Sequence, residues 1–185
     1  MSDVPPGAHG PGEHEPDAHA DGAQAAFGAA NRARNDFDGG GRQPASPHRI
    51  LQPAGWPRPR GYANGVAARG TQIHVAGQVG WDPHTGTIVG GGFAGQCEQV
   101  LSNIIAVLAS AGAGPQHVVR LTWYVTDVAE YGAATVELGR TFRRLFRGHY
   151  PAMSLVQVAA LLEPGARVEI EAVAVLPDEP APGAA

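Results

Sequence analysis

Over residues 73–175 the spacing of apolar residues switches repeatedly between two periods, and this ordered switching constrains the fold more than any other property of the chain. Ile73 and Val75 alternate with Gln72 and His74, the period of two that a half-buried strand requires. Phe93, Cys97, Val100, Leu101, Ile104, Ile105 and Leu108 then recur at three and four, which is one face of a helix, and Gly112 is placed to end it. Val119, Leu121, Trp123 and Val125 return to alternation. Tyr131, Ala134, Thr135, Leu138, Phe142 and Leu145 are helical again. Residues 153–159 and 167–175 close the series as two strands. Residues 50–62 are extended and broken by proline, and GVAARGTQIHVAGQV reads as two short strands around Arg69-Gly70. The predicted order is β-β-α-β-α-β-β.

That order implies an α+β fold, one mixed sheet with both helices on one face. The other face keeps apolar residues and has no helix left to cover it, so self-association is expected. Not all 185 residues take part. Residues 1–46 are rich in Gly, Ala, Pro, Asp and His, and Phe27 and Phe37 are their only bulky apolar groups. Such a segment cannot bury enough surface to offset the entropy of ordering it and is expected to be a disordered tail. The folded domain is placed at 47–177 and a second loose tail at 178–185. His9, His14 and His19 recur every five residues in the first tail, without the rigid setting or companion ligands of a metal site, and are read as part of a spacer.

Composition excludes several chemistries. All 13 cationic side chains are arginine. A lysine Schiff base, a lysine-anchored pyridoxal cofactor and a Walker-type phosphate lysine are therefore ruled out. Cys97 is the single cysteine, so no intrachain disulfide can form, and its place in an apolar helical pattern reads as a small buried hydrophobe. The formal charge is -4, which argues against a nucleic-acid partner; RTFRRLFR, at 140–147, reads as the wet face of a helix. No apolar run reaches the ~18 residues of a membrane helix, and the N-terminus lacks a secretory pattern, so a cytoplasmic protein with no membrane partner is expected. His74, His84, His117 and His149 show no metal-ligand spacing, and there is no Ser-centred elbow or phosphate loop. Neither a metal nor a cofactor is expected.

Glu169 and Glu171 stand out as chemistry-bearing groups. Two apart on one strand, they share a side, roughly 7 Å from each other, while Val168, Ile170, Ala172 and Ala174 face the opposite way. Both can be ordinary solvated carboxylates. Buried by oligomerisation, a carboxylate among Val and Ala would instead hold its proton more tightly and could move it near neutral pH.

Taken as a set and in this order, GYANGV, HVAGQVGWDPHTG, the QCEQVLSNI helix, RLTWYVTD, YPAMS and VEIEAVAV resemble the RidA/YjgF family across residues 61–175. The resemblance implies a chorismate-mutase-like fold, a homotrimer, and a small-molecule site in each cleft between subunits. It implies that Glu169 is the catalytic acid/base or water-orienting group, that the Gly77 amide helps bind the ligand, and that Tyr62 lies at the mouth of the cleft. Several positions depart from the family pattern. Ala76 replaces the serine of Ser-Gly-Gln, Leu155 replaces a cleft cysteine, and Gly139 falls near an expected asparagine. Met153 occupies the slot of the arginine that grips a substrate carboxylate in the family's deaminases. Arginine offers a planar bidentate fork, and methionine only a soft apolar surface. Arg120 and Arg167 lie on neighbouring strands but off the motif, and read as surface arginines. Met153, Leu155 and Tyr62 are thus expected to shape an apolar substrate pocket, with weak or no activity on small amino-acid imines.

Two functions follow from the resemblance. One is an enzyme-like protein acting on an imine, enamine or other tautomerisable small molecule through Glu169, a deaminase-like hydrolase or tautomerase. The alternative is a non-catalytic trimer that binds a small molecule or peptide in the same cleft. Nucleic-acid cleavage, assigned to some of the family, suits this acidic chain least.

Overall fold

The computed structural model describes residues 46–178. The tails expected at 1–46 and 178–185, and with them His9, His14 and His19, lie outside the described residues except for Ser46 and Asp178. Strand β1 (Arg49–Leu51) pairs antiparallel with β2 (Gly65–Ala67) in a small two-stranded ribbon. Then follow β3 (Thr71–Val79), α1 (Gly92–Ala109), a 3₁₀ turn (Pro115–His117), β4 (Val118–Val125), α2 (Val128–Phe146), β5 (Ala152–Gln157) and β6 (Val168–Leu176). The main sheet has four strands in the order β3-β6-β4-β5, mixed because β4 and β5 are parallel and the other pairs antiparallel. Both helices cover one face. The expected α+β architecture is therefore present, with one change: the strand before Arg69-Gly70 pairs with Arg49–Leu51, which overlaps the start of the segment expected to be extended at 50–62, rather than with the main sheet.

The core lies between the helices and the inward side chains of the sheet. Val168, Ile170, Ala172 and Ala174 of β6 are buried and alternate with half-buried Glu169 and Glu171. On β4 the buried set is Val118, Leu121, Trp123 and Val125, not Val119, because the register slips between Val118 and Arg120. The extra residue of a β-bulge inverts the side chains that precede it, and so Val118 takes the core position expected of Val119. Cys97 is fully buried on α1, and desolvation pushes its thiol far above the usual range, leaving it an inert hydrophobe. Asp127 caps α2, its Oδ1 accepting from the Ala129 amide at 2.7 Å. Arg140, Arg143, Arg144 and Arg147 are exposed and form the expected wet face, while Thr141, Phe142 and Phe146 of the same run are buried. Arg144 reaches Glu98 of α1 at 2.7 Å, an exposed pair that contributes ~1 kcal/mol at most.

Two polar residues on the buried face of α1 tie the helix to the sheet. Gln96 Nε2 donates to the Gly165 carbonyl at 2.9 Å, and its Oε1 accepts from the Arg167 amide at 2.8 Å, which fixes the chain as it enters β6. Asn103 Nδ2 donates to the Trp81 carbonyl at 2.9 Å, just beyond β3.

Two buried histidines, His149 and His48, and the half-buried His117 hold the segments around the start of β4. His149 Nε2 donates to the Val118 carbonyl at 2.7 Å, and His48 Nε2 to the Val175 carbonyl at 2.8 Å. His117 Nδ1 accepts from the Gly114 amide at 2.9 Å. Desolvation lowers the His149 pKa, opposed by the bond to Val118 and reinforced by His48 and His117; desolvation and then His48 lower that of His117. An unfolded histidine titrates near ~6.5, so below that pH the unfolded chain binds protons that these folded histidines refuse. Stability is therefore expected to fall as pH drops from about 6.5 and to level off once the folded imidazoles protonate. Urea midpoints at pH 7.5 and 5.5 should show the loss, and His149→Asn should shrink it. An unchanged loss in that variant would place the acid sensitivity elsewhere.

Candidate functional site

The sheet face away from the helices carries the polar groups. Paired residues in a sheet point to the same side. Glu169 is opposite Tyr124, Glu171 opposite Thr122, and Arg120 opposite both Val173 and Ala152. This face therefore presents Glu169, Glu171, Tyr124, Thr122 and Arg120, with Ser154 and Val156 on the β5 side. The Tyr124 hydroxyl donates to Glu171 Oε1 at 3.3 Å. Desolvation and then Glu171 push the Tyr124 phenol above its ordinary value, so it stays protonated and serves as a donor. Thr122 Oγ1 is buried without a partner.

Glu169 and Gly77 meet on this face. The β3–β6 register shifts between Val75 and Gln78, so Ala76 and Gly77 together oppose Glu171 in a bulge. A Cβ at Gly77 would fall 1.8 Å from Glu169 Oε1 and 2.8 Å from Cδ. Only glycine leaves the carboxylate that position, lying across the bare backbone of β3. The bulge takes this backbone out of the regular ladder, and the carboxylate and the peptide of Gly77 are adjacent on an open surface. The geometry puts a proton acceptor beside a peptide unit, a combination that can hold and deprotonate water.

Tyr62 and Met153 meet elsewhere. The Ala63 amide donates to the Pro151 carbonyl at 2.9 Å, and Ala63 bridges to Ala152, which lays residues 62–64 alongside the start of β5. The result is an open groove of about 400 Å³ lined by Tyr62, Asn64, Arg120, Met153 and Ser154, with Ala63 and Ala152 between them. Its character differs from the apolar pocket expected from the departures at Met153, Ala76 and Leu155. Arg120, read from sequence as a surface arginine, is exposed but stands in the groove. Arg167 does not; it pairs with Glu130.

The candidate residues thus form two groups within one chain. Met153 and Leu155 pair with Leu121 and Trp123 and lean on the core, so they lie on the helix side of the sheet, opposite Glu169. Leu155 joins neither group. His149, beside the groove in sequence, is committed to the Val118 carbonyl. Among the described residues no cluster of His, Cys, Asp and Glu could hold a metal ion. Sequence reasoning missed the placement of Arg120 and the pairing of Tyr124 with Glu171. The alternation along β4 carried a signal for both, because residues 120, 122 and 124 share the side opposite the core.

The family described as Endoribonuclease L-PSP matches residues 57–176. The 2-iminobutanoate/2-iminopropanoate deaminase of Rattus norvegicus is 41% identical over 103 residues, 56% of this chain and 72% of the relative. A RutC family protein of Synechocystis is 40% identical over 131 residues, covering 70% of this chain and 97% of the relative. Among solved structures, YyfB of Yersinia pestis, a Rid family protein of unknown function, aligns with a TM-score of 0.60 at 36% identity, over 70% of this chain and 98% of that one. The order of motifs, the strand topology and these matches agree: the chain belongs to the RidA/YjgF family.

Proposed function

We propose that the protein is a homotrimer that hydrolyses an imine, or tautomerises the matching enamine, in a cleft between subunits, with Glu169 as the proton-handling group. The observation that carries this reading is the Glu169 carboxylate lying over the glycine backbone at Gly77, a position any larger residue would deny it. Relatives named as 2-iminobutanoate/2-iminopropanoate deaminases support the imine chemistry. Assembly is supported by the uncovered sheet face, where Val156 of β5 remains substantially exposed. It is also supported by the placement of Met153 and Glu169 on opposite faces, since a cleft that uses both needs a second copy of the chain. No helix among the described residues is long and apolar enough to cross a membrane.

Glu169 removes a proton from water as the water oxygen bonds to the imine carbon and the C=N electron pair moves to nitrogen. That nitrogen takes a proton from solvent water, giving a carbinolamine. The protonated Glu169 then returns the first proton to nitrogen as the hydroxyl gives its own to solvent water, the C–N bond breaks with its electrons going to nitrogen, and a carbonyl product and ammonia leave. In this reading the Gly77 amide donates to the oxygen or nitrogen on which charge gathers.

The test supplies imines from an amino-acid oxidase and follows their decay. Loss of a positioned acid/base group costs ~100-fold or more in rate. Glu169→Gln, nearly isosteric and acting on a half-buried side chain, should show that loss without loss of fold. Turnover that persists unchanged in Glu169→Gln rules out the mechanism. No turnover by the wild-type protein with any imine, alongside ligand binding in the cleft, would instead favour the non-catalytic trimer.

A further inference from the structure

We infer that Arg120 is the residue that binds an anionic group of the ligand, so the ligand is a small carboxylate even though Met153 occupies the arginine slot. This deepens the proposed function and rests on it for the reaction, though not for the binding.

The argument starts from charge. The groove that holds Met153 contains one formal charge, the Arg120 guanidinium, and no Asp or Glu among its lining residues. Arg120 takes no part in the ion pairs that join Arg144 to Glu98 and Arg167 to Glu130. The nearest carboxylate on its own face by register is Glu171, which pairs with Thr122 rather than with Arg120 and accepts from the Tyr124 hydroxyl. A diagonal neighbour of that kind stands ~7–8 Å away. Arg120 thus lines the groove with no carboxylate paired to it among the described residues, its charge acting on the Tyr124 phenol beside Glu171.

Shape supports the same conclusion. Arg120 is flanked across β5 by Ala152, and Ala63 bridges to Ala152 on the far side. Two small side chains leave its fork uncovered. The hydroxyls of Tyr62 and Ser154 stand around the same space, so neutral hydrogen-bond donors accompany the cation, while the Asn64 amide donates to Gln52 Oε1 at 2.9 Å. A planar carboxylate matches the bidentate fork of arginine and would use the neighbouring donors for its remaining lone pairs. A space of about 400 Å³ is at the small end for ligand sites, which suits a compact 2-oxo or 2-imino acid. Met153, on the helix side of β5, then contributes apolar wall rather than grip.

Pyruvate, the hydrolysis product of 2-iminopropanoate, serves as the probe, and its uncharged analogue pyruvamide as the control. Titration monitored by calorimetry or by ligand NMR should show pyruvate binding to the full chain and pyruvamide binding at least ~10-fold weaker. Arg120→Gln should weaken pyruvate by at least ~10-fold and leave pyruvamide unchanged; Arg120→Lys should recover part of the loss. Arg120 is exposed, so these variants are expected to keep the fold, and an unchanged urea midpoint checks it. Pyruvate binding that is absent in the wild type, or equal in wild type and Arg120→Gln, overturns the assignment. The two readings fail separately. Arg120-dependent pyruvate binding without turnover leaves this inference standing and removes the catalytic one. Glu169-dependent turnover that is indifferent to Arg120 does the reverse.

Discussion

Gly77→Ala is expected to remove at least ~100-fold of the imine turnover while leaving the fold nearly as stable as before. The added Cβ would sit 1.8 Å from Glu169 Oε1, a distance no pair of atoms tolerates, so one of them must move. The other contacts are Glu169 Cδ at 2.8 Å and Cγ at 3.1 Å, all on one flexible side chain. Rotating that side chain relieves the clash at little cost, because Glu169 is half-buried and free to turn toward solvent. The carboxylate then leaves the backbone of Gly77, and the pairing of acceptor and peptide is lost. A control separates this from damage to the sheet. Gly80→Ala, three residues on and buried, drives its Cβ to 2.7 Å from Gln96 Cβ and 2.9 Å from its Cα. That obstacle is helix backbone and cannot swing away, so β3 and α1 must part, at a cost of ~1–3 kcal/mol. Denaturant midpoints and turnover measured on both variants should dissociate: activity lost with stability kept for Gly77→Ala, stability lost for Gly80→Ala. Full turnover in Gly77→Ala would mean that the position of the Glu169 carboxylate is irrelevant to the reaction.

The contrast between these two glycines shows what sequence periodicity can and cannot report. Alternation along 168–174 identified both the inward Val168, Ile170, Ala172 and Ala174 and the outward Glu169 and Glu171, because a regular strand has only two sides. Helical spacing located α1, and Gly112, with φ of 70°, does follow its end. The reading weakens where the chain departs from regularity. The bulge at Val118–Arg120 moved the core position from Val119 to Val118, and the bulge at Ala76–Gly77 created the setting of Glu169; neither extra residue has a signature in composition. Gln96 and Asn103 lie on the buried face of α1 and break its apolar stripe. Their burial is explained only by backbone groups of the Gly165–Arg167 and Trp81 segments, far off in sequence, that need partners. Phe146 was missed for a different reason: it is buried one position past the last apolar residue counted on α2. For the site, motif position singled out Met153 and Glu169, but the charge in the groove comes from Arg120, which only the pairing of β4 with β5 brings beside Ala152.

The largest expected loss of stability comes from Trp123→Ala. Trp123 is 1% exposed at the middle of β4, and β4 itself lies between β6 and β5. Its ring meets Tyr131 of α2 edge-on at 6.1 Å, and Tyr131 meets Phe93 of α1 in the same manner at 6.4 Å. One side chain thus connects the sheet to both helices. Truncation removes this contact and leaves a cavity that the paired strands on either side are too constrained to fill, a cost of ~3–5 kcal/mol. For a folded unit of this size that is a fall of roughly 10–20 °C in Tm. The indole sharpens the prediction. Trp123 Nε1 is buried with no hydrogen-bond acceptor, so Trp123→Phe gives up volume but no hydrogen bond, and it removes an unsatisfied donor. It should therefore cost much less than the alanine variant, on the order of 1 kcal/mol. Calorimetric Tm values for the wild type and both variants test the account. Equal losses for Phe and Ala would mean that an aromatic ring against Tyr131 is not what the fold depends on at this position.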